Sequence, residues 1–142
     1  MNNNLTEQIE FFLGSDAFGV VGASKDRNKY GNKVLRCYLQ HQKKVYPVNS
    51  HEQVIEGLPC IDAIENLPIA VKSISIVTPP SVTKQIVVEA IAKGINNIWM
   101  QPGSESEQAL FVCRQSKVNV IFGGPCILVT LGFTDNNNYS KI

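Results

Sequence analysis

The chain has 142 residues, 44% of them hydrophobic and 18% charged, with a formal net charge of +1. That length suits one domain with a core of its own, and the composition excludes a disordered chain. The near-neutral balance gives no global argument for nucleic acid or an anionic membrane, and no apolar stretch is long enough to span a bilayer.

Leu5, Ile9, Phe12 and Leu13 fall at near-helical spacing, so residues 1–16 read as a leader helix capped by Asn4 or Thr6 and broken at Gly14-Ser15-Asp16. Ala17–Val21 is an apolar run that reads as a buried strand, and residues 44–48, with Pro47 near the end, read as the next. Residues 73–77, 97–100 and 119–122 complete five predicted strands. Between them, residues 32–40, 81–93 and 104–116 carry helical apolar faces. The second of these closes at Gly94, and the third opens with Ser104 and Glu107 at capping-box spacing. A short helix near 61–66 is a weaker signal.

Strands alternating with helices predict βαβ units, hence an α/β, Rossmann-like, doubly wound parallel sheet in a single domain over 17–133. The expected strand order is 3-2-1-4-5. Residues 134–142 read as a frayed polar tail, and Trp99 and Phe133 as exposed apolar residues available to an oligomer interface.

Charge is unevenly spread. Seven Lys or Arg residues lie between Lys25 and Lys44 with Asp26 as the one acid, which leaves the remainder net acidic. Such a cluster suits a small anionic ligand; the plain alternative is a solvated helix face. Cys37, Cys60, Cys113 and Cys126 form no C-x-x-C pair, so neither metal spacing nor a disulfide framework is supported. Met1-Asn2-Asn3-Asn4-Leu5 lacks the charged start and apolar run of a signal peptide, and the expectation is a cytoplasmic protein with reduced thiols.

In an open parallel sheet, ligands bind beyond the carboxyl ends of the strands. The first such loop holds Gly22, Ala23 and Ser24, then Lys25, Arg27 and Lys29, and leads into a helix near Gly31. Small residues, cations and helix N–H groups together suit a phosphate or pyrophosphate. The G-x-G-x-x-G fingerprint is absent, since Ala and Ser follow Gly22 and the next glycine is Gly31. Asn49 stands where a nicotinamide enzyme would place an acid, an arrangement that tolerates a phosphorylated ribose as in coenzyme A or NADP. Thr78-Pro79-Pro80 offers a rigid wall, and Met100-Gln101-Pro102-Gly103-Ser104 and Gly123-Gly124-Pro125-Cys126 open the remaining loops.

The motifs Val20-Val21-Gly22-Ala23-Ser24, Lys29-Tyr30-Gly31-Asn32-Lys33-Val34, Tyr46-Pro47-Val48-Asn49, Ile76-Val77-Thr78-Pro79-Pro80, Trp99-Met100-Gln101-Pro102-Gly103 and Gly124-Pro125-Cys126 resemble the stand-alone CoA-binding domain proteins. That family is similar to the CoA-binding domain of the succinyl-CoA synthetase α subunit. The resemblance covers about residues 17–133; Ser50 departs from it, standing where relatives often have proline. It implies a Rossmann-like fold and coenzyme A as ligand. By matching positions, Gly22, Ala23, Ser24, Lys29, Tyr30 and Gly31 would form the phosphate-facing loop. Val48 and Asn49 would lie along the adenosine. Thr78 and Pro79 would line the adenine or pantetheine path, and Met100, Gln101 and Pro102 would sit near the thiol-bearing arm.

No catalytic constellation stands out. His41 and His51 sit at element ends, and Cys126 is the best nucleophile candidate, without a base that the sequence identifies. The expectation is a module that binds coenzyme A or acyl-CoA, with a homo-oligomer or a protein partner left open. The alternatives are an NADP-dependent oxidoreductase-like protein and a nucleotide-sensing regulatory domain.

Overall fold

The computed structural model describes residues 4–135. Helix α1 (Leu5–Leu13) starts at Asn4, whose side chain accepts a hydrogen bond from the Thr6 N–H, and it ends at Gly14. Strand β1 (Ala17–Val21) follows, then α2 (Tyr30–Gln40) and β2 (Val45–Val48). A two-stranded hairpin, β3 (Val54–Ile55) and β4 (Leu58–Pro59), precedes a 3-10 turn at Ile64–Asn66. Then come β5 (Val71–Ile76), α3 (Pro80–Lys93), β6 (Asn97–Met100), α4 (Glu107–Gln115), β7 (Asn119–Ile121) and α5 (Ile127–Leu131). The expected short helix near 61–66 is thus only the 3-10 turn.

All five long strands pair in parallel in the order β2-β1-β5-β6-β7. In the count used for the sequence this is 2-1-3-4-5, not the expected 3-2-1-4-5. The correction has a physical reason. Pro47 stands in the second strand and has no N–H for a ladder, so that strand belongs at an edge rather than inside the sheet. Every residue of β1 is buried, as a strand flanked on both sides requires. The chain therefore returns past β1 to lay β5 on its other side. The hairpin was not foreseen. Its turn, Glu56-Gly57, has positive φ at both residues (51° and 78°), the geometry that matches strand twist, although Glu is an unusual first residue for it.

Two apolar clusters sandwich the sheet. One joins Ile74, Ile76, Ile98 and Met100 to Val87, Ala90, Ala109 and Cys113 of α3 and α4. The other joins Phe18, Val20 and Trp99 to Phe12 of α1, Val34, Leu35 and Tyr38 of α2 and Ile127 of α5. Trp99, expected at the surface, is fully buried: its indole packs edge-on to Phe12 and donates to the Pro125 carbonyl at 3.0 Å. Phe133 is half-buried beneath the Arg36 guanidinium. The helix expected over 104–116 begins later, at Glu107, because Ser106 and not Ser104 caps it. The Ser104 hydroxyl is buried and donates toward the carbonyls of Ile76 and Gln101. Of the expected frayed tail, Thr134 exchanges hydrogen bonds with Gln40 and Asp135 pairs with Arg36, so both are tied down. The rest of that tail lies outside the described residues. Among the described residues, no helix is long and apolar enough to cross a membrane.

The first turn of α2 is pressed against the end of β1. A Cβ placed on Gly31 would fall far inside van der Waals contact with the Gly22 carbonyl oxygen. Gly22 itself has φ +97° and lies against the Val77 backbone. Gly31→Ala is expected to cost about 3 kcal/mol, because one of two backbones must move. Gly57→Ala meets nothing within 4 Å and is expected to cost only about 1 kcal/mol of left-handed strain. Urea denaturation of the two variants reads the difference.

Candidate functional site

With this strand order, the topological switch lies between β1 and β5, where connections leave in opposite directions. The loop after β1 arches over its end and is clamped from several sides. The Asn32 side-chain amide donates to the Ser24 carbonyl at 2.8 Å and the Asn49 amide to the Ala23 carbonyl at 2.9 Å. The Ser24 hydroxyl and the Asp26 carboxylate accept from the N–H groups of Asp26 and Asn28. Lys25 pairs with Glu52 at 3.3 Å and Arg27 with Glu56 at 3.6 Å, which ties the loop to the segment after β2.

The basic cluster is therefore largely balanced from within. Arg36 is buried, donating to Asn32, to Asp135 and to the Arg27 carbonyl. Lys33 lies 3.9 Å from Asp135. Arg36 and its neighbouring cations hold the Asp135 carboxyl below its ordinary range, the hydrogen bond from Arg36 contributing most. Lys29 is exposed at the N-cap of α2 and pairs with no acid among the described residues. Its side chain makes no cap bond to the first-turn N–H groups of that helix.

The residues singled out in the sequence all gather at the carboxyl edge, but burial divides them. Lys29, Pro79 and Pro102 are exposed, and Gly22, Ser24, Tyr30 and Asn49 are partly so. Ala23, Gly31, Val48, Thr78, Met100 and Gln101 are buried and shape the edge from beneath. Asn49, expected along a ribose, uses its side chain to hold loops: besides donating to Ala23, its oxygen accepts from the N–H groups of His51 and Glu52. The Thr78 and Thr83 hydroxyls share a bond, and Thr83 also donates toward the Ser104 carbonyl, so the loops after β5 and β6 are joined.

Gln101 is the hub on the other side. Its side-chain oxygen accepts from the Ile127 N–H at 3.0 Å and the Tyr30 hydroxyl at 3.1 Å. Its amide donates to Ser75, which bonds Tyr38. The Tyr30 hydroxyl has one proton and Gln101 takes it, so the Cys126 thiol, 2.7 Å away, donates to the tyrosine oxygen. Burial, and next the bond with Cys126, hold the Tyr30 hydroxyl well above its ordinary range. The sequence singled out Gln101, Tyr30 and Cys126 separately, and what it does not show is that they bond to one another and, through Ser75, to Tyr38.

The chain is a doubly wound, Rossmann-like α/β domain with the loops after β1, β5 and β6 gathered at the switch point. The family model for the CoA binding domain matches residues 16–132, and the chain belongs to that family. It is 31% identical over 91 residues to the alpha subunit of acetate–CoA ligase [ADP-forming] II of Pyrococcus furiosus, covering 63% of this chain and 20% of that subunit. Among solved structures, a conserved hypothetical protein of Pyrococcus furiosus is 39% identical, with a TM-score of 0.77 over 80% of this chain and 97% of that one. The dinucleotide-forming acetyl-coenzyme A synthetase 1 of Candidatus Korarchaeum cryptofilum is 26% identical, with a TM-score of 0.65 over 74% of this chain and 25% of that one.

Burial pushes the Cys37 thiol up to about 12 and the Cys113 thiol to about 11, whereas Cys60 and Cys126 are only partly buried. At pH 8 a disulfide reagent is therefore expected to titrate at most two of the four thiols rapidly in the native protein and all four in denaturant. Rapid reaction of three or more native thiols would contradict the packing described.

Proposed function

We propose that the chain binds coenzyme A across the carboxyl edge of the sheet, as a module that holds the cofactor without catalytic machinery of its own. The observation that carries this reading is the first turn of α2, seated on the Gly22–Gly31 contact with Lys29 beside it, in a chain of the CoA binding domain family. The pyrophosphate lies over that turn, where backbone N–H groups and the helix dipole favour an anion. Gly22, Ser24 and Tyr30 border it, above the buried Ala23 and Gly31. The adenosine runs toward Val48 and Asn49, and the pantetheine arm passes Thr78 and Pro79 toward Met100, Gln101 and Pro102.

The tight internal hydrogen bonding of the loop supports this reading, because a loop ordered in advance loses little entropy on binding. The chain matches one-fifth of the acetate–CoA ligase subunit's length. That relative's activity enters the reading only as the class of chemistry such a module serves, namely transfer of an acyl group to or from the cofactor.

Calorimetric titration of ligand-stripped protein with CoA, NADP and NAD tests the proposal. Saturable CoA binding with weak or silent dinucleotides is expected. Lys29→Ala is expected to weaken CoA about fivefold, with the effect shrinking as salt rises. Tight NADP binding with CoA silent would overturn the reading.

A further inference from the structure

A depression of about 360 Å³ opens at the carboxyl ends of β6 and β7, beside the loop that starts at Met100. Met100, Leu110, Phe122 and Gly123 line it on the apolar side. Phe122 keeps 36% of its surface exposed, although it sits directly after a strand whose last two residues are buried. The depression is within the size range of small-ligand sites. Its only charged lining residues are two carboxylates, Glu105 and Glu107. Glu105 is fixed in place by the Gly103 N–H at 2.9 Å. The remaining polar lining residue, Ser106, already spends its oxygen on capping α4. Arg114 stacks over the Phe122 ring, 5.5 Å from its centroid, and lies outside the lining.

We infer that this depression receives the acyl group of an acyl-coenzyme A, and that it favours uncharged aliphatic acyl groups over those ending in a carboxylate. The inference rests on the coenzyme A reading above, which brings the thiol-bearing arm to Met100. A thioester carbon chain continuing from that arm finds apolar side chains within reach and no cation in the lining. Each methylene removed from water strengthens binding about fourfold, the equivalent of about 0.8 kcal/mol. A terminal carboxylate there would meet two like charges, a penalty of roughly tenfold at separations near 6 Å in water.

The test is calorimetric titration with CoA, acetyl-CoA, butyryl-CoA and succinyl-CoA at one ionic strength. Butyryl-CoA, with two more methylenes, is expected to bind about fifteenfold tighter than acetyl-CoA, and succinyl-CoA about tenfold weaker than butyryl-CoA. Leu110→Trp, which fills the depression, is expected to abolish the chain-length increment and leave CoA affinity unchanged. Glu107→Gln is expected to narrow the gap between succinyl- and butyryl-CoA. If Leu110→Trp also loses CoA, Phe122→Ala decides, since removing one apolar wall must cut the butyryl increment and spare CoA. Normal CoA affinity with all thioesters within twofold of one another, or an increment that survives both apolar variants, overturns this inference alone. Silence toward CoA itself overturns the coenzyme A reading and this inference with it.

Discussion

The contact between Gly22 and Gly31 governs the geometry of the whole carboxyl edge. With hydrogen in place of a methyl group at position 31, the first turn of α2 rests directly on the backbone that leaves β1. Gly22 in turn lies against Val77, at the end of β5. Three chain segments thus meet at the switch point, with only the Val77 side chain packed against the two glycines. The helix end is brought to the crevice, and the intervening residues 23–29 have to arch over it. The clamps from Asn32 and Asn49 hold that arch, and the pairs of Lys25 and Arg27 with Glu52 and Glu56 bind it to the neighbouring loop.

Beneath the edge, buried polar side chains are hydrogen-bonded, as a low-dielectric interior demands, and Arg27 Nη2 is the exception among the described residues. Gln101 joins β6, the start of α5 and the head of α2 through one side chain. Thr78, Thr83 and Ser104 join the loops after β5 and β6. The same economy applies to charge. Internal acids answer most of the basic cluster around α2, which leaves exposed Lys29 as the cation best placed to meet a ligand. A segment that looks strongly cationic in sequence is therefore a moderate attractor in the folded protein.

The elements with strong periodicity were legible. Strand β1 and β6 coincide with their predicted bounds, and the other long strands differ by a residue or two. Their order was not legible, because apolar runs state that a strand is buried but not which neighbours it has; Pro47 held the clue that β2 is an edge. The hairpin at 54–59 is too short for a periodic signal, and α5 covers only one turn and a half. The candidate residues were chosen by the rule that loops at the carboxyl edge meet ligands, and the fold brings them to that edge. What sequence could not divide was exposed from buried: Gln101 and Asn49 are polar side chains committed to internal bonds, and only three-dimensional contacts reveal that. Trp99 failed for the complementary reason, since a large aromatic at the end of a strand faces either solvent or a helix, and α1, outside the βαβ pattern, covers it here.

Amide hydrogen exchange with and without saturating coenzyme A tests the central claim, a ligand lying across the carboxyl edge, most directly. Slowed exchange is expected in residues 22–31, 77–82 and 100–104, with the amino edge around Gly14–Asp16 and Asn96 unchanged. Protection confined to the amino edge, or to the surface groove lined by Ala63, Glu65, Glu89 and Lys93, would contradict it.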